Sequence, residues 1–367
     1  MEHASSSTSL QSLEHFPEQI LMSDYWQDFL KTNWGIPDRD ADVQFVPDPT
    51  ILHELEDPII SPINWLGVAR VSGTDAKAFL QAQFTGDIEA ILPGTSSLSG
   101  YCDPKGRLLA IFRVVPIADD FLLLTDYQVL PTVVDRLKMY ILRMKVEIAI
   151  EESYVVVGIS GPNSPAIVMK LTAARESLNV NSKEAANTNF VIASSDYISG
   201  YLVVAKPKET VDVWTSIRDG VTLVSSAVWS LLEIRSGVAR ITPNTQQKCI
   251  PQSVNLDLVG GVSFSKGCYP GQEIVARVRY LGRLKQRLAR ATSTPGTIPT
   301  SGDPVFFGHD KDRRVGMVIN SVGFPDKTGE VLAVVPTSCT VGSRLVLHLD
   351  GSQQLRLVEV ASKVKGE

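Results

Sequence analysis

The hydrophobic pattern of this 367-residue chain changes period at Arg287, and that change limits what the chain can fold into. Before it, apolar runs that alternate residue by residue are interleaved with runs at helical spacing. After it, only short apolar runs remain, at Pro304–Phe307, Val315–Ile319, Leu332–Val335 and Arg344–His348, separated by Gly, Pro, Asp and Ser. Side chains alternate faces on a strand and return to one face of a helix about every 3.6 residues. The first region therefore predicts layered strands and helices, and the second a small all-β barrel or sandwich.

Within the first region the alternation occurs twice. Trp65–Val71 reads as a strand, and Asp75–Phe84 as a helix that Ser72 or Thr74 would cap by accepting a first-turn N–H. Leu108–Val115 and Phe121–Thr125 read as strands joined through Ala118, Asp119 and Asp120. Leu130, Val133, Val134, Leu137, Ile141 and Met144 fall at helical spacing behind Pro131, a residue tolerated in a first turn. The pattern restarts near Tyr154, with strands at Val155–Ile159, Val191–Ile192 and Tyr201–Ala205 and helices at Pro165–Leu171, Val211–Arg218 and Ala227–Ser236. One hydrophobic core rarely serves so long a chain. We expect an α+β protein with an arm at 1–57, α+β units at 58–153 and 154–286, and a β-barrel at 287–362. The first ~20 residues are too polar to bury a core and are expected to be disordered.

The net charge of −5 argues against a surface built throughout for nucleic acid or anionic membrane, so direct nucleic-acid binding is not expected. Cys102, Cys249, Cys268 and Cys339 are far apart and form no CxxC pair. Such spacing suits reduced thiols, and no resident metal is expected. The N-terminus lacks the basic segment and apolar core of a signal peptide, and no run reaches the ~18 apolar residues of a membrane span. A cytoplasmic monomer is the expectation.

The usual catalytic signatures are missing: no GxxxxGK[ST], no GxGxxG after a strand, no HExxH. The five histidines are scattered. One segment stands out, Ser265 to Arg277, with sequence SKGCYPGQEIVAR. Pro270 and Gly271 signal a turn, and Glu273 to Arg277 continues as a helix whose (i, i+4) ends can pair. Cys268 would sit just before a helix N-terminus, with Lys266 two residues upstream, and both features favour thiolate. A buried, inert cysteine between turn glycines is the competing reading. Downstream, Arg277, Arg279, Arg283, Lys285, Arg287 and Arg290 meet no acid after Glu273. That run reads either as a solvated face or as a site for a polyanion, such as a polyglutamate tail or RNA phosphates.

The segment Lys266 to Arg277, K-G-C-Y-x-G-Q-E-x-x-x-R, resembles the signature of the YgfZ family. The resemblance extends through Ile250-Pro251-Gln252, Asn255-Leu256 and Gly260 to Phe264. Gln81 to Asp87 (QAQFTGD) resembles a second family motif and Cys102 to Leu108 (CDPKGRL) a third. It covers roughly Asn64 to the C-terminus. It implies a fold like the T-protein of the glycine cleavage system, three domains in a ring around a folate pocket, the last a β-barrel. It also implies a tetrahydrofolate-binding role in assembly or repair of iron–sulfur enzymes, including the radical enzyme that methylthiolates tRNA. Iron–sulfur client enzymes or assembly proteins would be the partners. Cys268 is then the key thiol. The pocket would draw on Trp65 and Trp229, whose indole faces suit a pterin, on Lys266, Tyr269, Gln272, Glu273 and Arg277, and on Asp103 and Lys105.

Departures from the T-protein bear on activity. Leu109 and Ala110 stand where that enzyme carries an acidic pair, so aminomethyl transfer is not expected. Arg235 stands where a glutamate holds the pterin in that enzyme, with Glu233, from the neighbouring turn, as a substitute. Two alternatives stay open: a one-carbon transferase using Asp103 or Glu273 as base, and a folate sensor or scaffold without chemistry.

Overall fold

Strand pairing in the computed structural model joins the two α+β units through one sheet. Residues 57–360 are described, apart from 153, 178–189, 196–197, 208–209, 212–214, 216, 218–219, 309 and 348–352, together with residues 29, 30 and 32. In chain order the elements are β1 (Ile59–Pro62), β2 (Leu66–Ser72), α1 (Ala76–Gln83), β3 (Thr95–Cys102), β4 (Leu108–Ile117), β5 (Asp120–Asp126), α2 (Leu130–Lys138) and β6 (Glu147–Ile150). They continue as β7 (Val155–Ser160), α3 (Ser164–Ser177), β8 (Phe190–Ser195), β9 (Gly200–Ala205), β10 (Thr222–Leu223), α4 (Ser226–Arg235) and α5 (Gln272–Tyr280). The last part is β11 (Gln286–Ser293), β12 (Pro304–Phe307), β13 (Asp310–Gly323), β14 (Gly329–Pro336), β15 (Arg344–Val346) and β16 (Gln354–Val360).

Ten strands lie in the order β10-β1-β7-β9-β8-β3-β4-β5-β2-β6. The two halves meet where Thr95 and Ser96 of β3 run parallel to Ser194 and Ser195 of β8. β1 falls within the expected first unit, 58–153, but pairs with β7 and β10 of the second, because Ile59 and Ile60 find their apolar cover there. A core of Phe79, Leu80, Phe84, Phe112, Leu130 and Val134 fills the first half beneath α1 and α2. A second core, with Val157, Ile159, Val203 and the helical residue Leu30, fills the other half. Between the halves lies a third cluster containing both Trp65 and Trp229.

Local details refine the sequence reading. Asp75, not Ser72 or Thr74, is the N-cap of α1, and its side chain makes no capping bond; it accepts from the Lys145 backbone N–H at 2.7 Å. The pattern behind Pro131 ends as helix at Lys138, and Ile141 and Met144 reach the same core from turns. Leu142 takes a left-handed φ of 51°, which ends any helical continuation there. The arm at 1–57 lies almost wholly outside the described residues, as does much of Val211–Arg218.

The C-terminal strands close into a six-stranded barrel, β11-β14-β13-β12-β15-β16, as the change of period predicts. β11 pairs with both β14 and β16, which leaves no open edge. Ala291, Val305, Val318, Ala333, Leu345 and Leu355 fill it. Arg235 at the end of α4 reaches Glu330 on β14 at 2.7 Å, and Glu330 also pairs with Arg290 at 3.2 Å. Arg287 forks onto both oxygens of Asp257, at 3.0 and 3.1 Å. The last two arginines of the basic run therefore anchor the barrel.

Candidate functional site

All three sequence motifs meet at one place. Gly271 caps α5 with φ +80°, and a Cβ on it would lie 2.5 Å from the Asp103 carbonyl oxygen and 2.6 Å from the Gly106 Cα. Gly106 also has a positive φ, and a Cβ there would meet Ile274 at 3.0 Å. Only glycine allows two turns to touch backbone to backbone in this way. The turn of the third motif is self-closed: the Asp103 carboxylate accepts the backbone N–H groups of Lys105 and Arg107 at 2.8 and 2.9 Å. Buried Gln252, from the upstream IPQ segment, donates to the Val275 carbonyl of α5 at 2.7 Å.

The second motif holds the other side. Thr85 is fully buried; its hydroxyl donates to the Gly261 carbonyl at 2.6 Å and accepts the Gly100 N–H at 2.8 Å. Its own carbonyl accepts the Ser263 N–H at 2.8 Å. Lys266 then extends its ammonium into a cage of three backbone carbonyls, Gln81, Phe84 and Gly86, at 2.5, 2.8 and 2.8 Å. A lysine ammonium has three N–H donors, so all are taken up. Burial pushes the Lys266 amine down to about 8, and Asp87 and Glu89 act against that shift. The structure thus corrects the expectation that Lys266 serves as the neighbour of the Cys268 thiolate: its charge is directed into the loop after α1.

On this scaffold Cys268 is exposed, while Cys102, Cys249 and Cys339 are buried. Next to it Tyr269 is buried, its ring 5.6 Å from the Lys266 ammonium, and burial raises its phenol above the usual range. Gln272 reaches the Gly267 carbonyl at 3.4 Å, and Glu273 pairs with Arg277 at 2.9 Å on an exposed face, as the (i, i+4) spacing predicts. Such an exposed pair contributes little, about 0.3–0.5 kcal/mol. Lys105 is exposed. Neither carboxylate considered as a base is placed for that work: Asp103 is engaged in its own turn, and Glu273 faces solvent.

The two tryptophans sit elsewhere, in the cluster between the sheet halves. Trp229 has no exposed surface, and its ring covers Gly158 so closely that a Cβ there would fall 2.2 Å from it. Its indole is closed to a stacking ligand. Trp65 is 7% exposed and carries the Arg240 guanidinium 4.0 Å from its ring centroid. Arg240 in turn lies 3.6 Å from Asp126. Glu233 does not reach out as a pterin ligand, because it is buried in a salt bridge with Arg113. Burial raises the Glu233 carboxyl, opposed first by Arg113 and then by Arg240. Leu109 and Ala110 are buried in the core of the first half, where neither can carry a proton. Among the described residues, no group of three or more His, Cys, Asp or Glu comes together as a metal site, and no helix is long and apolar enough to cross a membrane.

Residues 59–219 match the GCVT N-terminal domain family. In fold the chain is similar to the glycine cleavage system aminomethyltransferase T from Bartonella henselae, with a TM-score of 0.67 over 87% of this chain and 91% of that one, at 15% identity. In sequence it is similar to the tRNA-modifying protein YgfZ of Vibrio vulnificus (strain CMCP6), 32% identical over 284 residues that span 76% of this chain and 84% of the relative. The chain belongs to the YgfZ family. The YgfZ protein of Hamiltonella defensa is 30% identical over 81% of this chain and 88% of its own, and that of Edwardsiella ictaluri 28% over 85% and 95%. The family assignment agrees with the resemblance read from the three motifs.

The Arg113–Glu233 pair, the Arg240–Trp65 contact and the Lys266 cage escaped the sequence reading. A signal existed for the first: Arg113 interrupts the otherwise apolar run Leu108–Ile117, and Glu233 interrupts the apolar face of α4. A charge in such a run requires a partner. Nothing in the sequence could name the carbonyls that Lys266 reaches.

Proposed function

We propose that this protein is a folate-binding accessory factor that supports assembly or repair of iron–sulfur enzymes, and through them tRNA methylthiolation, with Cys268 as its working thiol. The observation that carries the proposal is the placement of Cys268: the one exposed cysteine stands on a loop that three distant motifs hold rigid. A rigidly presented thiol can bind iron or carry sulfur for a partner without a resident metal. The names of the relatives, tRNA-modifying proteins, agree with an effect on tRNA.

Folate fits one feature of the inter-half cluster. Trp65 Nε1 and Arg240 Nη1 are buried donors without hydrogen-bond partners, although Trp65 and Arg240 are stacked on each other and Arg240 Nε lies 3.6 Å from Asp126. Buried unpaired donors are costly, and an acceptor-rich group such as a pteridine ring or a carboxylate would satisfy them. Trp65 and Arg240 would hold it by edge and charge, whereas Trp229 acts from behind as packing. The accessory reading is favoured over a one-carbon transferase because Leu109 and Ala110 carry no acid, Asp103 is engaged in its own turn, Glu273 faces solvent, and the buried carboxylate beside these donors, Asp126, is paired with Arg240. Titration of the purified protein with tetrahydrofolate tests the folate part. Binding that Arg240→Met weakens at least tenfold is expected; no binding by the wild type would remove folate from the account.

A further inference from the structure

We propose that the C-terminal end of α5 is the docking surface for the protein partner that Cys268 serves, and that this partner presents an acidic face with an apolar pocket. The inference rests on the accessory reading above. Of the nine residues of α5 only Val275 is buried, and Glu273, Arg277 and Tyr280 are exposed along one side of the helix, so that side faces solvent. Its end carries the large apolar surface that a free surface normally lacks: Tyr280 is 66% exposed and Leu281 87%. Phe264 packs edge-on to Tyr280 with centroids 6.2 Å apart, and the Arg279 guanidinium lies over Phe264 at 5.4 Å. Arg277, Arg283 and Lys285 are exposed around them, and Glu273 is the only acid on the helix. Arg277 pairs with Glu273, and Arg287 and Arg290 of the same run are held by Asp257, Glu330 and Glu359, so Arg283 and Lys285 are the exposed cations offered to a partner.

This is a basic, aromatic and aliphatic patch on a chain of net charge −5. Charge complementarity selects an acidic partner. Leu281 and Tyr280 select a protein over a nucleic acid. Neither phosphate contacts nor base stacking needs an aliphatic anchor, and Leu281 beside Tyr280 is 87% exposed. Buried aromatic and arginine anchors are what protein interfaces use. The patch is also within reach of the thiol. Nine residues at about 1.5 Å each make α5 about 13 Å long, and Cys268 lies three residues before its cap. One interface of about 800 Å² per partner covers both.

The test is restoration of methylthiolated tRNA in cells lacking this protein, using the full chain carrying Leu281→Asp or Arg283→Glu. Met169→Asp, which alters a 72% exposed residue on α3, is the control, and Cys268→Ala runs alongside. Melting temperature, tetrahydrofolate affinity and binding of unfractionated tRNA are measured on each purified variant. We expect restoration to fall about tenfold for both patch variants and not for the control, with folding, folate affinity and tRNA binding unchanged. Full restoration by Leu281→Asp and Arg283→Glu, while Cys268→Ala fails, overturns the docking surface and leaves the thiol reading intact. Full restoration by Cys268→Ala overturns that reading instead. Loss of tRNA binding in step with restoration overturns the protein partner in favour of a nucleic acid. Should Leu281→Asp lower the melting temperature, Arg283→Glu, which removes no buried surface, decides alone.

Discussion

Replacing Gly271 by alanine strikes the joint between the turn of the Cys268 motif and the turn of the third motif. The new Cβ would stand 2.5 Å from the Asp103 carbonyl oxygen, 2.6 Å from the Gly106 Cα and 2.7 Å from the Gly106 nitrogen. These are backbone atoms, which cannot swing away as a side chain can. A left-handed φ adds roughly 1–2 kcal/mol for any residue with a Cβ, and forcing extra volume into a packed contact adds roughly 1–3 kcal/mol. The sum is about 3 kcal/mol. At about 2–4 °C per kcal/mol for proteins of this scale, the melting temperature should fall by about 6–12 °C. Gly267 provides the comparison within the same motif: no atom lies within 4 Å of a Cβ built on it, and its φ is outside the left-handed range. Gly267→Ala should therefore stay within about 0.5 kcal/mol of wild type. Thermal unfolding followed by circular dichroism reads both. Equal melting temperatures for Gly271→Ala and wild type, or equal losses for the two variants, would refute the backbone-contact argument.

Three further outcomes follow from the same geometry. Lys266→Met leaves three carbonyls without their donor and should destabilise by about 2–4 kcal/mol, while the alkylation rate of Cys268 changes as its loop loosens. Ellman titration of the native protein should count one thiol, Cys268, and four after denaturation; two or more native thiols would contradict the burial of the others. Burial pushes the Cys249 thiol up from 9.0 to about 11, so the unfolded chain ionises first as pH rises. The stability that Cys249 contributes is present below pH 9 and lost by pH 11. The advantage of wild type over Cys249→Ala in urea unfolding should shrink across that window.

Much of this was legible in the sequence where the physics is local. The hairpin β4–β5 and the barrel strand Pro304–Phe307 follow from two-residue alternation between turn residues, and α5 from helical spacing behind a proline–glycine turn. The convergence of QAQFTGD, CDPKGRL and KGCYPGQE was not readable from periodicity, because it depends on contacts between residues up to 185 positions apart, as in Lys266 to Gln81. The family resemblance pointed to the three motifs but not to how they touch. The tryptophans show the opposite limit. Aromatic residues suggest ligand stacking, yet Trp229 is closed by Gly158 and Trp65 by Arg240, since a large apolar ring between two sheet halves gains most by being buried. Lys266 beside Cys268 suggested a thiolate neighbour, but three carbonyls at hydrogen-bond distance compete for its charge and win.

The proposed role of the Cys268 thiol in support of iron–sulfur enzymes can be decided in cells lacking this protein, supplied with wild type or Cys268→Ala at matched abundance, by quantifying methylthiolated tRNA. Wild type should restore the modification and Cys268→Ala should not, although the variant keeps the wild-type melting temperature and tetrahydrofolate affinity. Restoration by Cys268→Ala to the wild-type level would contradict that role.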